Sequence, residues 1–299
     1  MSEILARIRA GERLVFDGGL GTMLFARGLG PGVCPESIVL THPEWLEEIA
    51  LAYTEAGADF VTTNTFGGSP LKLALHGLQD SMARINRLAV ERVRGAVGGG
   101  AWLAGSVGPT GRILKPYGDT EPADVGDGYR RQIEVLLAAG VDAIVVETMM
   151  DPAEAKLAVA AARALSGEIP VFATMTFDAT SRGFRTIMGT TIERAAAELA
   201  EAGASVIGSN CGNGSEMMVE VARELRAHTR LPLLIQPNAG LPERDGAAVI
   251  YRETPEFMAA KACQMLEIGV SIVGGCCGTT PDHIRAFRQM VDDGQFPAN

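Results

Sequence analysis

One unit recurs along this chain: a short apolar, β-branched run followed by an amphipathic segment of helical period. The spacing predicts strands over 14–17, 60–64, 102–106, 143–147, 171–176, 206–210, 233–236 and 271–274. Helices are predicted over 43–56, 81–97, 125–139, 152–165, 192–202, 216–228, 255–268 and 281–291. Four helix ends carry one signal: Glu55-Ala56-Gly57-Ala58-Asp59, Ala138-Ala139-Gly140-Val141-Asp142, Glu201-Ala202-Gly203-Ala204-Ser205 and Glu267-Ile268-Gly269-Val270-Ser271. In each a glycine can accept the left-handed conformation that ends a helix, and a strand follows at once. Thr41-His42-Pro43, Asp151-Pro152, Thr254-Pro255 and Thr280-Pro281 read as helix starts.

Strict β/α alternation with short connections means a parallel sheet, and eight units favour closure into a single (β/α)8 TIM barrel over an open, doubly wound sheet. A barrel commonly takes about 250 residues, and no linker or low-complexity stretch divides the 299 present, so residues 1–299 are expected to form one domain. The longest irregular pieces, 28–41, 109–124 and 239–253, all follow strands, which on a barrel puts them at the catalytic end.

A net charge of −10 with no basic run excludes nucleic acid and anionic membrane as expected partners. No apolar stretch reaches the length that spans a bilayer, and the charged N-terminal start does not resemble a secretory signal. The five cysteines then suit a reducing cytoplasm, free for metal or catalysis.

Chemistry on a barrel sits where strands end. Three of the five cysteines are there: Cys211 after the sixth strand, Cys276 and Cys277 after the eighth. A single cysteine in a strand reads as a small buried hydrophobe. Three at neighbouring strand ends read as a metal site, with thiolates suited to zinc and three protein ligands leaving one position open, as catalytic sites do. A zinc ion already holding three thiolates is a poor Lewis acid for water but keeps an incoming thiol ionised. Alkyl transfer to sulfur therefore fits better than hydrolysis. Cys263 reads as core, and Cys34 as a loop residue with no partner in view.

Asp17 and Glu147 end the first and fourth strands, where an inward carboxylate needs a partner. They read either as receptors for a substrate ammonium group or as acceptors for backbone N–H groups. Gly18 and Gly19 offer bare amides for a substrate carboxylate. Asn64 and Ser106 stand at the second and third strand ends. Asn238, after the seventh strand, could face the metal or hold a loop. None of the four histidines falls at a strand end, and those ends lack lysine, which argues against a Schiff-base aldolase.

Asp17-Gly18-Gly19, Asn64-Thr65-Phe66-Gly67, Gly105-Ser106-Val107-Gly108-Pro109-Thr110-Gly111, Glu147-Thr148, Met175-Thr176-Phe177-Asp178, Asn210-Cys211-Gly212, Pro237-Asn238-Ala239-Gly240 and Gly274-Gly275-Cys276-Cys277-Gly278-Thr279-Thr280-Pro281 together resemble the homocysteine S-methyltransferase family over nearly the whole chain. The resemblance implies that Cys211, Cys276 and Cys277 bind zinc and that the homocysteine thiol takes the open position. It also implies that Asp17 and Glu147 hold the amino acid portion, helped by backbone of the first loop, and that Asn238 lies beside the metal. Asn64-Thr65-Phe66-Gly67 with Lys72, Leu73, His76, Gly77 and Leu78 look most like the homocysteine domain of cobalamin-dependent methionine synthase. A methylcobamide is then the implied donor. Without a corrinoid-binding Asp-x-His-x-x-Gly in this sequence, it would be free or carried by a partner corrinoid protein. Cys211-Gly212-Asn213-Gly214 and Glu147-Thr148-Met149-Met150 depart from that domain's usual forms and leave another thiol acceptor open. S-methylmethionine, another sulfonium or betaine remain alternative donors, and a non-catalytic zinc scaffold is the alternative of a different class. Betaine would need an aromatic cage, and aromatics are only 5% of the chain.

Overall fold

The computed structural model describes residues 2–245, 248–294 and 296. Eight parallel strands form the barrel: β1 (Leu14–Val15), β2 (Phe60–Thr62), β3 (Trp102–Val107), β4 (Ala143–Met149), β5 (Val171–Met175), β6 (Val206–Gly214), β7 (Leu233–Asn238) and β8 (Ile272–Val273). Each pairs with its sequence neighbours, and β8 returns to pair with β1. The last seam, β1 to β2, is closed by a parallel bridge from Phe16 to Phe60. There Asp17 N–H donates to the Phe60 carbonyl at 3.0 Å and Asp59 N–H to that of Val15 at 2.7 Å.

Eight helices follow the strands in order: α1 (Pro43–Glu55), α2 (Met82–Val97), α3 (Pro122–Ala139), α4 (Pro152–Leu165), α5 (Ile192–Ala202), α6 (Ser215–His228), α7 (Pro255–Ile268) and α8 (Pro281–Asp293). The glycines foreseen as helix stops, Gly57, Gly140, Gly203 and Gly269, all have φ between 90° and 101°. The fold class is as expected, with local differences. β1 and β8 are shorter than predicted, because register with their neighbours is kept for only two residues. β6 runs four residues further, past Cys211. Two short hairpins, Asp178–Thr180 with Gly183–Arg185 and Glu243–Asp245 with Ala248–Ile250, stand in connections read from sequence as irregular or short.

The barrel interior explains where the site must lie. At its lower level Leu14, Phe16, Phe60, Ala104, Val145, Phe172, Leu234 and Ile272 are fully buried. Phe16 stacks on Phe60 at 5.0 Å, and Phe172 meets Phe60 edge-on at 5.5 Å. The helix Glu3–Arg9 adds Ile4 and Ile8 to this cluster from the amino end of the strands. Side chains of a strand face the interior at every second residue. Two residues beyond this level, the same strands present Ser106, Glu147, Thr174 and Gln236, with Asn210 two beyond Gly208. An apolar floor thus gives way to a buried polar layer at the carboxyl ends. Among the described residues no helix is long and apolar enough to cross a membrane.

Candidate functional site

The sulfur atoms of Cys211, Cys276 and Cys277 lie within 4.8 Å of one another. Two local devices bring them together. Between Asn210 and Gly214 the register of β6 against β7 slips: those residues pair with Gln236 and Asn238, so β6 spends four steps where β7 spends two. The bulge turns Cys211 inward, at a φ of 60° that a non-glycine residue seldom adopts. After β8 the chain is strapped to β7. Cys276 N–H donates to the Pro237 carbonyl at 2.8 Å, Cys277 N–H to Asn238 Oδ1 at 3.1 Å, and the Cys277 carbonyl accepts from Ala239 N–H at 3.0 Å. Gly278 is required there, since a Cβ would sit 2.2 Å from the Tyr251 ring.

The trio holds its charge unequally. Hydrogen bonds from Cys276 and Cys277 bring the Cys211 thiol down to about 3. The same contacts with Cys211, with burial, push Cys276 well up and Cys277 to about 11. Three thiols clustered this closely fit a divalent cation, which would ionise all three. Donor type and number suit zinc with a position left over.

Two carboxyl groups face the same space. Asp17 Oδ2 accepts from Thr62 N–H and Thr62 Oγ1, both at 2.7 Å, yet burial raises its pKa to about 7. Glu147 Oε1 accepts a short hydrogen bond from Ser106 Oγ, and burial lifts its pKa to about 7 as well. No cationic side chain contacts either group among the described residues. A cavity of about 250 Å³ joins them to the sulfur trio. All the site residues expected at the strand ends line it except Asn238.

Several residues act differently from expectation. Gly19 N–H is not bare, for it donates to Thr279 Oγ1 at 2.9 Å. Both glycines also allow close approach: a Cβ at Gly18 would meet Thr279 Oγ1 at 2.7 Å, and one at Gly19 the Cys276 carbonyl at 2.5 Å. Asn238 fills one of the two roles open to it, holding the cysteine loop by accepting from Cys277 N–H, and its side chain also stands beside the Cys211 thiol. Asn64 Nδ2 donates to the Pro35 carbonyl at 2.7 Å and fixes the wall beside the cavity. Cys34 is buried with its thiol 3.1 Å from Glu36 Oε2, so it has a partner after all. Cys263 is half-exposed rather than core, because its position on α7 turns away from the strands. His283 caps α8 by accepting from Thr280 N–H at 3.2 Å, a structural role.

Sequence reasoning missed Asn210, Thr148 and Tyr251. Asn210 is fully buried and hydrogen-bonds to Thr148 and Thr174. Tyr251, from the connection before α7, hydrogen-bonds to Cys277. Adjacency to Cys211 and a strand-end position were the available signals for Asn210; for Tyr251 there was none, since a long connection returns it to the site.

The family model described as homocysteine S-methyltransferase matches residues 14–291. Methionine synthase of Mycobacterium tuberculosis is 37% identical over 295 residues, covering 93% of this chain and 24% of that protein. Methionine synthase of Mycobacterium leprae is 36% identical, covering 95% of this chain and 25% of that protein. The chain therefore spans about a quarter of the length of these relatives. The metallated form of the homocysteine methyltransferase MmuM from Escherichia coli superposes with a TM-score of 0.78 at 25% identity, over 95% of this chain and 98% of that one. A methyltransferase from Methanosarcina mazei, 13% identical with a TM-score of 0.61, shares the fold. With a matching family model across the barrel and relatives of this identity, the chain belongs to the homocysteine S-methyltransferase family.

Proposed function

We propose that this protein is a zinc-dependent enzyme of the cytoplasm that moves a methyl group from a methylcobamide to the thiol of homocysteine, giving methionine, with residues 1–299 acting as one homocysteine-binding domain. The observation that carries the acceptor is one cavity of about 250 Å³ with three clustered sulfurs and two carboxyls, the buried Asp17 and the half-buried Glu147, on its wall. An amino acid with a thiol on its side chain matches that pairing of groups.

Cys211, Cys276 and Cys277 would hold the zinc, whose charge keeps an acceptor thiol ionised near neutral pH. Glu147 and Asp17 receive the ammonium group, and its positive charge draws both into the carboxylate form. Thr62 and Ser106 keep those carboxyls aimed through the hydrogen bonds already in place. The acceptor sulfur then attacks the methyl carbon from the side opposite the donor atom. A methylcobamide would supply the methyl group, the new carbon–sulfur bond replacing the methyl–cobalt bond and the electron pair remaining with the cobalt. In-line approach of about 3–3.5 Å is needed.

The donor reading rests on two features of the mouth. Among the described residues that line the cavity Phe66 alone is aromatic, and one ring gives no cage for a quaternary ammonium. The connections after six of the strands carry exposed apolar side chains: Phe25, Val33, Leu75, Ile113, Tyr117, Met150, Ile187, Met188, Leu241 and Val249. An apolar rim of this extent suits a large partner such as a corrinoid protein. Zinc-loaded protein with homocysteine and, separately, methylcobalamin, S-methylmethionine and betaine tests this. Methionine from methylcobalamin and little from betaine is expected; methionine from S-methylmethionine alone would replace the donor and keep the site.

A further inference from the structure

Asn210 stands at the junction of everything the site contains. Its side chain is fully buried, and all its polar capacity is spent. Oδ1 accepts from Thr148 N–H at 2.7 Å and from Thr174 Oγ1 at 2.7 Å. Nδ2 donates to Thr148 Oγ1 at 2.7 Å, and reaches Glu147 Oε2 at 3.5 Å and Cys276 Sγ at 3.9 Å. One amide thus touches the end of β4, the middle of β5 and the cysteine loop after β8, while its own backbone leads into Cys211.

Thr148, which it braces, and Cys211, which follows it in the chain, are the two described residues that are not glycine yet have positive φ, at 58° and 60°. Each such conformation is unfavourable for a residue that carries a Cβ and persists only where the surroundings over-determine it. At Thr148 the bracing is explicit, because Asn210 binds both its N–H and its hydroxyl. The turn at Thr148 sets where Glu147 ends β4. The turn at Cys211 sets where its sulfur meets Cys276 and Cys277. The first turn is held by the Asn210 side chain, and the second begins at the Asn210 backbone.

We infer that Asn210 is a positioning residue that fixes the sulfur trio relative to Glu147, so that the acceptor's thiol and ammonium are recognised as one unit. This rests on the acceptor reading given above. Only an amide does this. A carboxylate at 210 would keep the acceptor contacts but lose the donor contacts, and would set a negative charge between Glu147 and Cys276.

The test compares homocysteine with 4-mercaptobutyrate, the same chain without the amine, bound to the full-length protein with cobalt(II) in place of zinc. Thiolate-to-cobalt absorption reads sulfur binding without turnover. The parent should prefer homocysteine. In Asn210→Asp the trio should still take up cobalt, while that preference falls roughly tenfold, or about 1.4 kcal/mol. Thr174→Val, which removes one contact to Asn210 and touches neither Glu147 nor a cysteine, should lower it by a smaller factor; it carries the test if Asn210→Asp does not fold. An unchanged preference in a folded variant overturns the inference, as does an equal loss of affinity for both thiols. If homocysteine fails to alter the cobalt spectrum of the parent itself, the acceptor reading has failed instead.

Discussion

Glu147 and Asp17 are carboxyl groups that the fold buries without neutralising. Each sits near pH 7 in the absence of a cation, which makes the acceptor's ammonium group their natural partner. Replacing Glu147 by Gln should weaken homocysteine by about 10- to 150-fold, the worth of a charge-assisted hydrogen bond of roughly 1.5–3 kcal/mol, with zinc content unchanged; calorimetry on the zinc-loaded protein reads both. The sign with pH follows from the direction of the shifts. Both folded pKa values lie above the ordinary carboxyl range, so these groups favour the folded state at low pH and cease to do so as pH rises through about 7. The ionised form that binds an ammonium appears over the same interval. Affinity for homocysteine relative to 4-mercaptobutyrate should rise between pH 6 and 8, and Glu147→Gln should flatten that rise. At the sulfurs, Cys211→Ser should lose most of the zinc while circular dichroism and the unfolding transition stay close to the parent's, because the barrel floor of Phe16, Phe60 and Phe172 lies apart from the trio. Full zinc occupancy in Cys211→Ser would remove the metal assignment.

At the scale of elements, the barrel order and its glycine stops were legible in sequence because each depends on a local pattern. The glycine-ended helices are governed by residues four or five apart, and the strand cores by short apolar runs. The Cys-Cys pair and Cys211 were legible too, because parallel topology makes strand ends neighbours. What was not legible depends on three-dimensional contact. The bulge in β6 that turns Cys211 inward arises from a register slip against β7. The hydrogen bond from Gly19 to Thr279 joins residues 260 apart. The return of Tyr251 onto Cys277 depends on a long connection. Glycine within these elements gives a graded test. A Cβ on Gly208 of β6 would lie 1.7 Å from the Leu234 carbonyl of β7, so Gly208→Ala should separate the two strands and cost at least about 2 kcal/mol. Gly95 lies inside α2 with no atom within 4 Å of its Cβ direction, so Gly95→Ala should stabilise by about 0.5–1 kcal/mol. Denaturant unfolding of the two variants checks the ordering.

For the molecule as a whole, the apolar floor, the buried polar layer and the apolar rim follow one another along the barrel axis, and each has its task. On the proposed reading the floor carries stability, the polar layer binds and orients the acceptor, and the rim faces whatever brings the methyl group. Ile113→Asp combined with Ile187→Asp alters two exposed rim residues, 59% and 74% accessible, in connections remote from the sulfurs in sequence. The pair should raise KM for a methylated corrinoid protein several-fold and leave transfer from free methylcobalamin nearly unchanged; an equal effect on both donors would deny the rim its role. The claim on which the rest depends is that the acceptor sulfur joins the three cysteines while its amine meets Glu147 and Asp17. X-ray absorption at the zinc edge counts sulfur neighbours directly. Adding homocysteine to the zinc-loaded protein should raise the count from three to four, and a count that stays at three with homocysteine saturating would contradict the account.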